Sequence, residues 1–152
     1  MPVKEVIFTI KLPLKSVWSF MTDRQEVGCL FPGCKGVKIL NDLDSIWTIR
    51  FSLGPLSRTI EMQAHTTEMV EHERMAWTAT HEHLMTSGIV LFRKVSDGET
   101  ELTYHLEGHV TGHFTFLQDI VVSEKLGEVT RMFMKAIKER LEGEAKNKSG
   151  KP

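Results

Sequence analysis

The chain has 152 residues, of which 41% are hydrophobic and 26% are charged. This size and composition predict a single domain that buries a hydrophobic core of its own. The formal net charge is −1, with acidic and basic residues interspersed, so no basic stripe suited to a phosphate backbone is present and nucleic acid is not expected as a partner.

No segment approaches the roughly 20 apolar residues that span a bilayer, and residues 1–5 lack the basic and apolar pattern of a signal peptide. We therefore expect a cytoplasmic protein whose contact with membranes is at most peripheral. In that setting Cys29 and Cys34 are expected to be reduced thiols rather than a disulfide.

The first third of the chain predicts one strand and two short helices. Apolar residues alternate over residues 6–12, which indicates a strand that ends at Pro13. Apolar residues then recur at spacings of three and four, which is typical of a helix. Asp23 is predicted to cap a second short helix, with Glu26 completing a reciprocal capping box. The Pro32-Gly33 pair is predicted to turn the chain into a sheet.

The middle of the chain predicts a meander of antiparallel strands, because short turns rich in Gly, Pro, Asn and Asp separate the extended segments. In the last of them, Leu102, Tyr104, Leu106 and Val110 share one face, which predicts a buried side opposite a solvated one. The predicted strands cover residues 38–40, 45–53, 57–66, 74–80, 86–95 and 100–110.

Helical periodicity returns after Gly112, but with two apolar stripes that are rotated away from each other. We expect either a bend near residues 123–127 or a first part that packs against the short helices or a ligand mouth. Residues 1–143 are predicted to form the domain, and residues 144–152 a polar, flexible tail. The first stripe contains Leu117, Ile120 and Val121, and the second contains Leu126, Val129, Phe133 and Ile137.

This order of elements resembles the START-like superfamily, also called the SRPBCC or helix-grip superfamily, and the local pattern resembles its CoxG branch, which is named after carbon monoxide dehydrogenase. The resemblance covers about residues 4–141 and implies an α+β helix-grip fold (START/Bet v 1-like), with a curved antiparallel sheet of about six to seven strands around a long C-terminal helix. The segments that carry it are Pro13-Leu14, Val17-Trp18-Ser19-Phe20, Leu30-Phe31-Pro32-Gly33-Cys34, Leu53-Gly54-Pro55, Thr100-Glu101-Leu102-Thr103-Tyr104 and Gly112.

The resemblance also implies a class of function. Members of the superfamily enclose a hydrophobic cavity, and many bind lipids, isoprenoids, quinones or polyketides, while some are cyclases or hydrolases. The CoxG branch is associated with the maturation or membrane recruitment of molybdenum-containing dehydrogenases. We therefore expect a non-enzymatic protein that binds a hydrophobic small molecule, as a monomer or a homodimer, and that serves such a dehydrogenase complex. The alternative is an enzyme of the polyketide cyclase or isomerase type.

The binding site is predicted from apolar residues of the inner sheet face, the turn at Phe31-Pro32 and the start of the last helix, where the mouth is expected. An enzyme would need Tyr104, His81 or His83 to face the cavity with a perturbed pKa. The predicted ligand-binding residues are Leu30, Phe31, Trp47, Ile49, Phe51, Met62, Trp77, Tyr104, Leu106, Leu117, Ile120 and Val121.

No catalytic residue, metal site or cofactor is predicted. His105 and His109 lie on one strand face, but about 13 Å apart by strand rise, which is too far for one ion. His81 and His83 are about 7 Å apart and would need further ligands from neighbouring strands. The chain contains no HExxH, CxxC, GxSxG or P-loop motif.

Overall fold

A computed structural model describes the backbone of residues 3–53, 56–82, 84–110 and 115–149. Side chains are described for residues 5–50, 57, 59–82, 84–109, 124 and 127–143. In chain order the elements are β1 (Val3–Ile10), α1 (Leu14–Met21), α2 (Arg24–Leu30), β2 (Cys34–Ile39), β3 (Asp44–Leu53), β4 (Leu56–Val70), β5 (Arg74–His81), β6 (Leu84–Ser96), β7 (Glu99–Val110) and α3 (Thr115–Ser149).

The strands form one antiparallel sheet in the order β1-β7-β6-β5-β4-β3-β2. Hairpins join each strand from β2 to β7 with the next, and β1 closes against the last strand, with Phe8 opposite Leu102. The long helix α3 packs against β1 and β7, while α2 packs against β2. The predicted helix-grip architecture is therefore confirmed.

Several predicted strand boundaries are wrong because irregularities in the ladder are hard to recognise from periodicity. The strand predicted over residues 57–66 is β4, which continues to Val70 beyond a register shift between Thr66 and Glu68. The strand predicted over residues 38–40 is β2, which begins at Cys34. In contrast, Leu12 lies outside β1, where its amide N–H donates to the Ile10 carbonyl in a turn.

The main core lies between the sheet and α3. The predicted alternation in β7 is confirmed at Leu102, Tyr104 and Leu106, which are all buried. Facing them are Phe133 and Ile137 of α3, which belong to the same buried cluster. The second predicted stripe of the helix therefore provides its buried face.

The short helix α2 is tied to α3 by Glu26, for which the sequence predicts another role. Asp23 caps α2 as predicted, since its carboxylate accepts from the Glu26 amide N–H at 3.2 Å. Glu26 does not complete a capping box, because its carboxylate accepts from the Arg140 guanidinium at 2.6 Å. Arg140 also lies over the Phe20 ring, 5.8 Å from the ring centroid. The reciprocal cap is therefore replaced by an ion pair between helices.

The backbone of α3 is helical through Ser149 and thus includes most of the segment that was predicted as a tail. The flexibility of residues 144–152 stays a prediction. The side chains of residues 115–123 lie outside the described part, so the proposed bend or alternative packing of the first turns also stays a prediction.

An exposed ion pair between β3 and β4 predicts a pH effect on stability. The His65 and Asn41 hydrogen bonds hold the pKa of Asp44 below its usual value, with His65 Nδ1 2.8 Å from the carboxylate. A depressed pKa stabilises the fold above the unfolded value of about 3.9, and this contribution is lost as the pH falls through the folded pKa. Asp44→Asn should therefore show a smaller fall in melting temperature between about pH 5 and pH 3 than the wild type.

His65→Gln is the matched control for the Asp44 prediction. It removes the main cause of the pKa shift, so it should reduce the pH slope in the same direction, and the double variant should resemble either single one. Equal slopes in the wild type and in Asp44→Asn would contradict the assignment.

A buried hydroxyl on α3 predicts a stabilising substitution. Thr130 is buried, and its Oγ1 has no hydrogen-bond partner among the described residues. Thr130→Val keeps the branched shape and removes the desolvated hydroxyl, so the free energy of unfolding should rise by about 1 kcal/mol. Urea unfolding measures this change. Thr130→Ser, which keeps the hydroxyl and removes the methyl group, should instead destabilise the protein.

Candidate functional site

A cavity of about 330 Å³ lies between the inner face of the sheet and the helices. Strands β3 to β7 form its floor, α2 and the Phe31 turn form one wall, and Val129 and Phe133 of α3 form another. The volume lies within the range of about 300–1,000 Å³ that is typical of small-molecule sites.

The strand alternation explains why this face is apolar. Ile49 of β3 and Met62 of β4 point inward, whereas the neighbouring Arg50 and Glu61 are exposed. Small side chains such as Ala64 and Ala79 line the same surface. They leave space that larger residues would fill.

Five aromatic rings follow one another along the cavity wall and are called the aromatic arc here. The ring centroids are separated by 6.1 Å from Trp47 to Phe31, 5.1 Å from Phe31 to Phe133, 6.0 Å from Phe133 to Tyr104 and 5.7 Å from Tyr104 to Trp77. The contacts are edge-on or tilted, which is the arrangement that aromatic pairs prefer. The arc thus joins strands β3, β5 and β7 to the α2–β2 turn and α3.

Two glycines position the ends of this arc. Gly33 has a φ of 81°, and a Cβ there would lie 2.3 Å from the Arg50 carbonyl oxygen, so the turn after Phe31 requires glycine. Gly88 lies opposite Trp77 in the β5–β6 ladder. A Cβ at Gly88 would lie 2.3 Å from Trp77 Cζ2, so the indole rests directly on the glycine backbone.

Most polar groups of the lining already have partners. Ser45 Oγ accepts from Trp47 Nε1 at 2.9 Å, and Thr86 Oγ1 donates to the Ala79 carbonyl at 2.9 Å. The two terminal nitrogens of Arg24 donate to backbone carbonyls of the β2–β3 turn, at 2.8 Å and 3.2 Å. These groups therefore hold the walls of the cavity together.

Tyr104 is the exception. Its side chain lines the cavity and is only 2% exposed, yet no hydrogen bond to its hydroxyl is formed by any described residue. Burial raises its pKa above the ordinary value of 10.0, so the phenol remains protonated and neutral. The cavity thus contains one buried hydrogen-bond donor that is unused.

The structure brings together seven of the predicted site residues. Leu30 does not line the cavity; it is the last residue of α2 and packs against the main core. The side chains of Phe51, Leu117, Ile120 and Val121 lie outside the described part, as does the predicted mouth at the start of α3. The seven that line the cavity are Phe31, Trp47, Ile49, Met62, Trp77, Tyr104 and Leu106.

Sequence reasoning missed several lining residues. Ile60 could have been found, because it alternates with Met62 on the same strand face. Phe133 lies on the second helical stripe, which predicts a buried position but not one that borders open space. Met21, Arg24 and Val27 reach the cavity only because α1 and α2 fold back over the sheet, which no local pattern indicates.

The histidine and cysteine positions do not form a second site in the described part of the chain. His81 Nδ1 lies 2.9 Å from the Glu61 carbonyl oxygen, outside the lining, and His83 is not described. Cys29 and Cys34 are free thiols. No group of three or more His, Cys, Asp or Glu residues suited to a metal ion was found among the described residues.

A search of the described helices found none that is long and apolar enough to cross a membrane.

Solved structures with the same fold support the architecture. A conserved protein from Geobacillus kaustophilus has a TM-score of 0.79 at 14% identity, covering 91% of this chain and 94% of that one. A START superfamily protein from Mycobacterium smegmatis has a TM-score of 0.76 at 15% identity, covering 93% and 97%. The Zhui aromatase/cyclase from Streptomyces sp. R1128 has a TM-score of 0.68 at 16% identity, covering 97% and 94%.

The comparison with curated proteins found no match. The family comparison did: residues 7–144 match the carbon monoxide dehydrogenase family CoxG. This fold and family are consistent with the binding of a small hydrophobic ligand. Because the match covers nearly the whole chain and the fold is START-like, the protein belongs to the CoxG family.

Proposed function

We propose that this protein is a non-enzymatic carrier that binds a mostly apolar small molecule, of the lipid, isoprenoid or quinone type, in the cavity between the sheet and α3. The observation that supports this most strongly is the aromatic arc around an apolar cavity of about 330 Å³. Such a cavity gains free energy when an apolar ligand replaces water or empty space.

Burial alone supplies useful affinity. At about 25 cal/mol per Å², a ligand that buries roughly 400 Å² of apolar surface gains about 10 kcal/mol before the costs of ordering. The volume equals that of about eleven liquid water molecules, at about 30 Å³ each. A ring or short chain fits within this space, whereas a long isoprenoid tail would extend beyond it.

The first test is native mass spectrometry of gently purified protein, followed by solvent extraction of the bound material. We expect an apolar molecule at a stoichiometry of about one. A protein that carries no such molecule and does not bind a neutral apolar fluorescent probe would contradict the carrier function.

A matched pair of variants on β4 sharpens this test. Ala64 lines the cavity, whereas Gln63 beside it is exposed. Ala64→Phe places a ring in the cavity and should abolish retention of the ligand, while Gln63→Phe should leave it intact. Equal retention by the two variants would place the ligand elsewhere.

Membership of the CoxG family supports a further part of the proposal: the carrier serves a molybdenum-containing dehydrogenase. Affinity purification of the tagged protein from its native cell should then recover such an enzyme. Recovery that is the same with an unrelated tagged START-like protein would contradict this association.

The alternative, a cyclase or isomerase, needs acid–base groups in the cavity. Tyr104 meets the requirement that an enzyme would place on it, because it lines the cavity with a perturbed pKa. The pKa is raised, however, which makes the phenol a hydrogen-bond donor and not a base at neutral pH. Arg24 and Tyr104 are the ionisable side chains among the described lining residues, so no described group can accept a proton. Conversion of a linear polyketide that is lost in Tyr104→Phe would favour the enzyme.

A further inference from the structure

We infer that the cavity selects uncharged ligands whose buried end carries a hydrogen-bond acceptor, such as a ketone or another carbonyl, and that it rejects carboxylates and phosphates. This inference rests on the proposed carrier function. It concerns the chemical class of the ligand and follows from the charges and hydrogen bonds of the lining.

The acceptor requirement follows from Tyr104. Its hydroxyl is buried in the cavity wall without a partner among the described residues, and two flanking rings, Trp77 and Phe133, hold the phenol ring in place. An unpaired buried hydroxyl is costly, so a ligand that offers it an acceptor removes this cost. A purely apolar ligand leaves the hydroxyl unpaired.

The charge requirement follows from Arg24, the one cationic side chain among the described lining residues. Both of its terminal nitrogens donate to carbonyls of Asn41 and Asp44, and its charge also acts on the Asp44 carboxylate. Apart from Tyr104, the remaining described lining consists of apolar side chains and three hydroxyl groups, of which those of Ser45 and Thr86 are bonded within the wall. A buried anion would therefore lack a free cation, and an unpaired buried charge is strongly unfavourable.

The test uses three probes of nearly equal size: methyl naphthyl ketone, naphthoate and isopropylnaphthalene. They differ in whether the end group is an uncharged acceptor, an anion or a hydrocarbon. Titration calorimetry of the full chain at neutral pH should show that the ketone binds about tenfold or more tightly than naphthoate. Tyr104→Phe should weaken ketone binding by about two- to tenfold and leave isopropylnaphthalene unchanged.

The outcomes separate the two proposals. Naphthoate that binds as tightly as the ketone would overturn the inference and leave the carrier function standing. A Tyr104→Phe variant that weakens all three probes equally would also overturn it, because the hydroxyl would then act through the fold. Failure of all three probes to bind would contradict the carrier function itself, and the inference with it.

Discussion

Gly88→Ala is expected to push the Trp77 indole into the cavity and to remove most of the ligand binding. The new Cβ would lie 2.3 Å from Cζ2 and 2.7 Å from Cε2 of the indole, which are distances that atoms cannot adopt. Because β6 is an inner strand, its backbone cannot move away without breaking ladders with β5 and β7. The ring must therefore move, and the open space beside it is the cavity.

Two measurements check this prediction. The affinity for methyl naphthyl ketone should fall about tenfold or more, and the free energy of unfolding should fall by about 1–3 kcal/mol because the ring is forced from its packing. Gly98→Ala is the control, since nothing lies within 4 Å of a Cβ in that turn, and it should change stability by less than about 0.5 kcal/mol. Unchanged affinity in Gly88→Ala would show that the ligand does not use the space beside Trp77.

Ile137→Ala is expected to cause the largest loss of stability. Ile137 is 0% exposed and belongs to the core cluster that joins α3 to the sheet. Truncation to alanine removes buried methyl groups and leaves a void, which typically costs about 2–5 kcal/mol. Urea unfolding, monitored by circular dichroism, measures this change.

Met132→Ala is the matched control on the same helix, because that side chain is 52% exposed. Its free energy of unfolding should lie within about 0.5 kcal/mol of the wild type. If the two substitutions had equal effects, α3 would not present the residue 137 side to the sheet, and the helix-grip packing would be wrong.

Periodicity predicted the architecture well because the sheet has one buried and one solvated face. The alternation of Leu102, Tyr104 and Leu106 identified the inward face of β7, and that of Ile60 and Met62 did so for β4. The same signal could not predict the extension of β4 past its bulge, since a bulge reverses the alternation. The capping role predicted for Glu26 is wrong for a different reason: its partner Arg140 is distant in sequence.

The cavity itself was predictable only in part. Residues of the inner strand faces, such as Trp47 and Trp77, follow from alternation and from the resemblance to the family. The space between them depends on whether opposing side chains meet, which three-dimensional packing decides. The unpaired state of Tyr104 could not be predicted either, because it depends on the absence of a partner among all the described neighbours.

The central claim is that the ligand occupies the cavity bordered by the aromatic arc, and methionine methyl NMR tests it most directly. Met21, Met62 and Met75 line the cavity, whereas Met69, Met85 and Met132 are about half exposed. In protein labelled with carbon-13 at the methionine methyl groups, titration with methyl naphthyl ketone should shift the first three signals and leave the other three in place. Shifts confined to Met69, Met85 or Met132 would place the ligand on the outer surface and contradict the account.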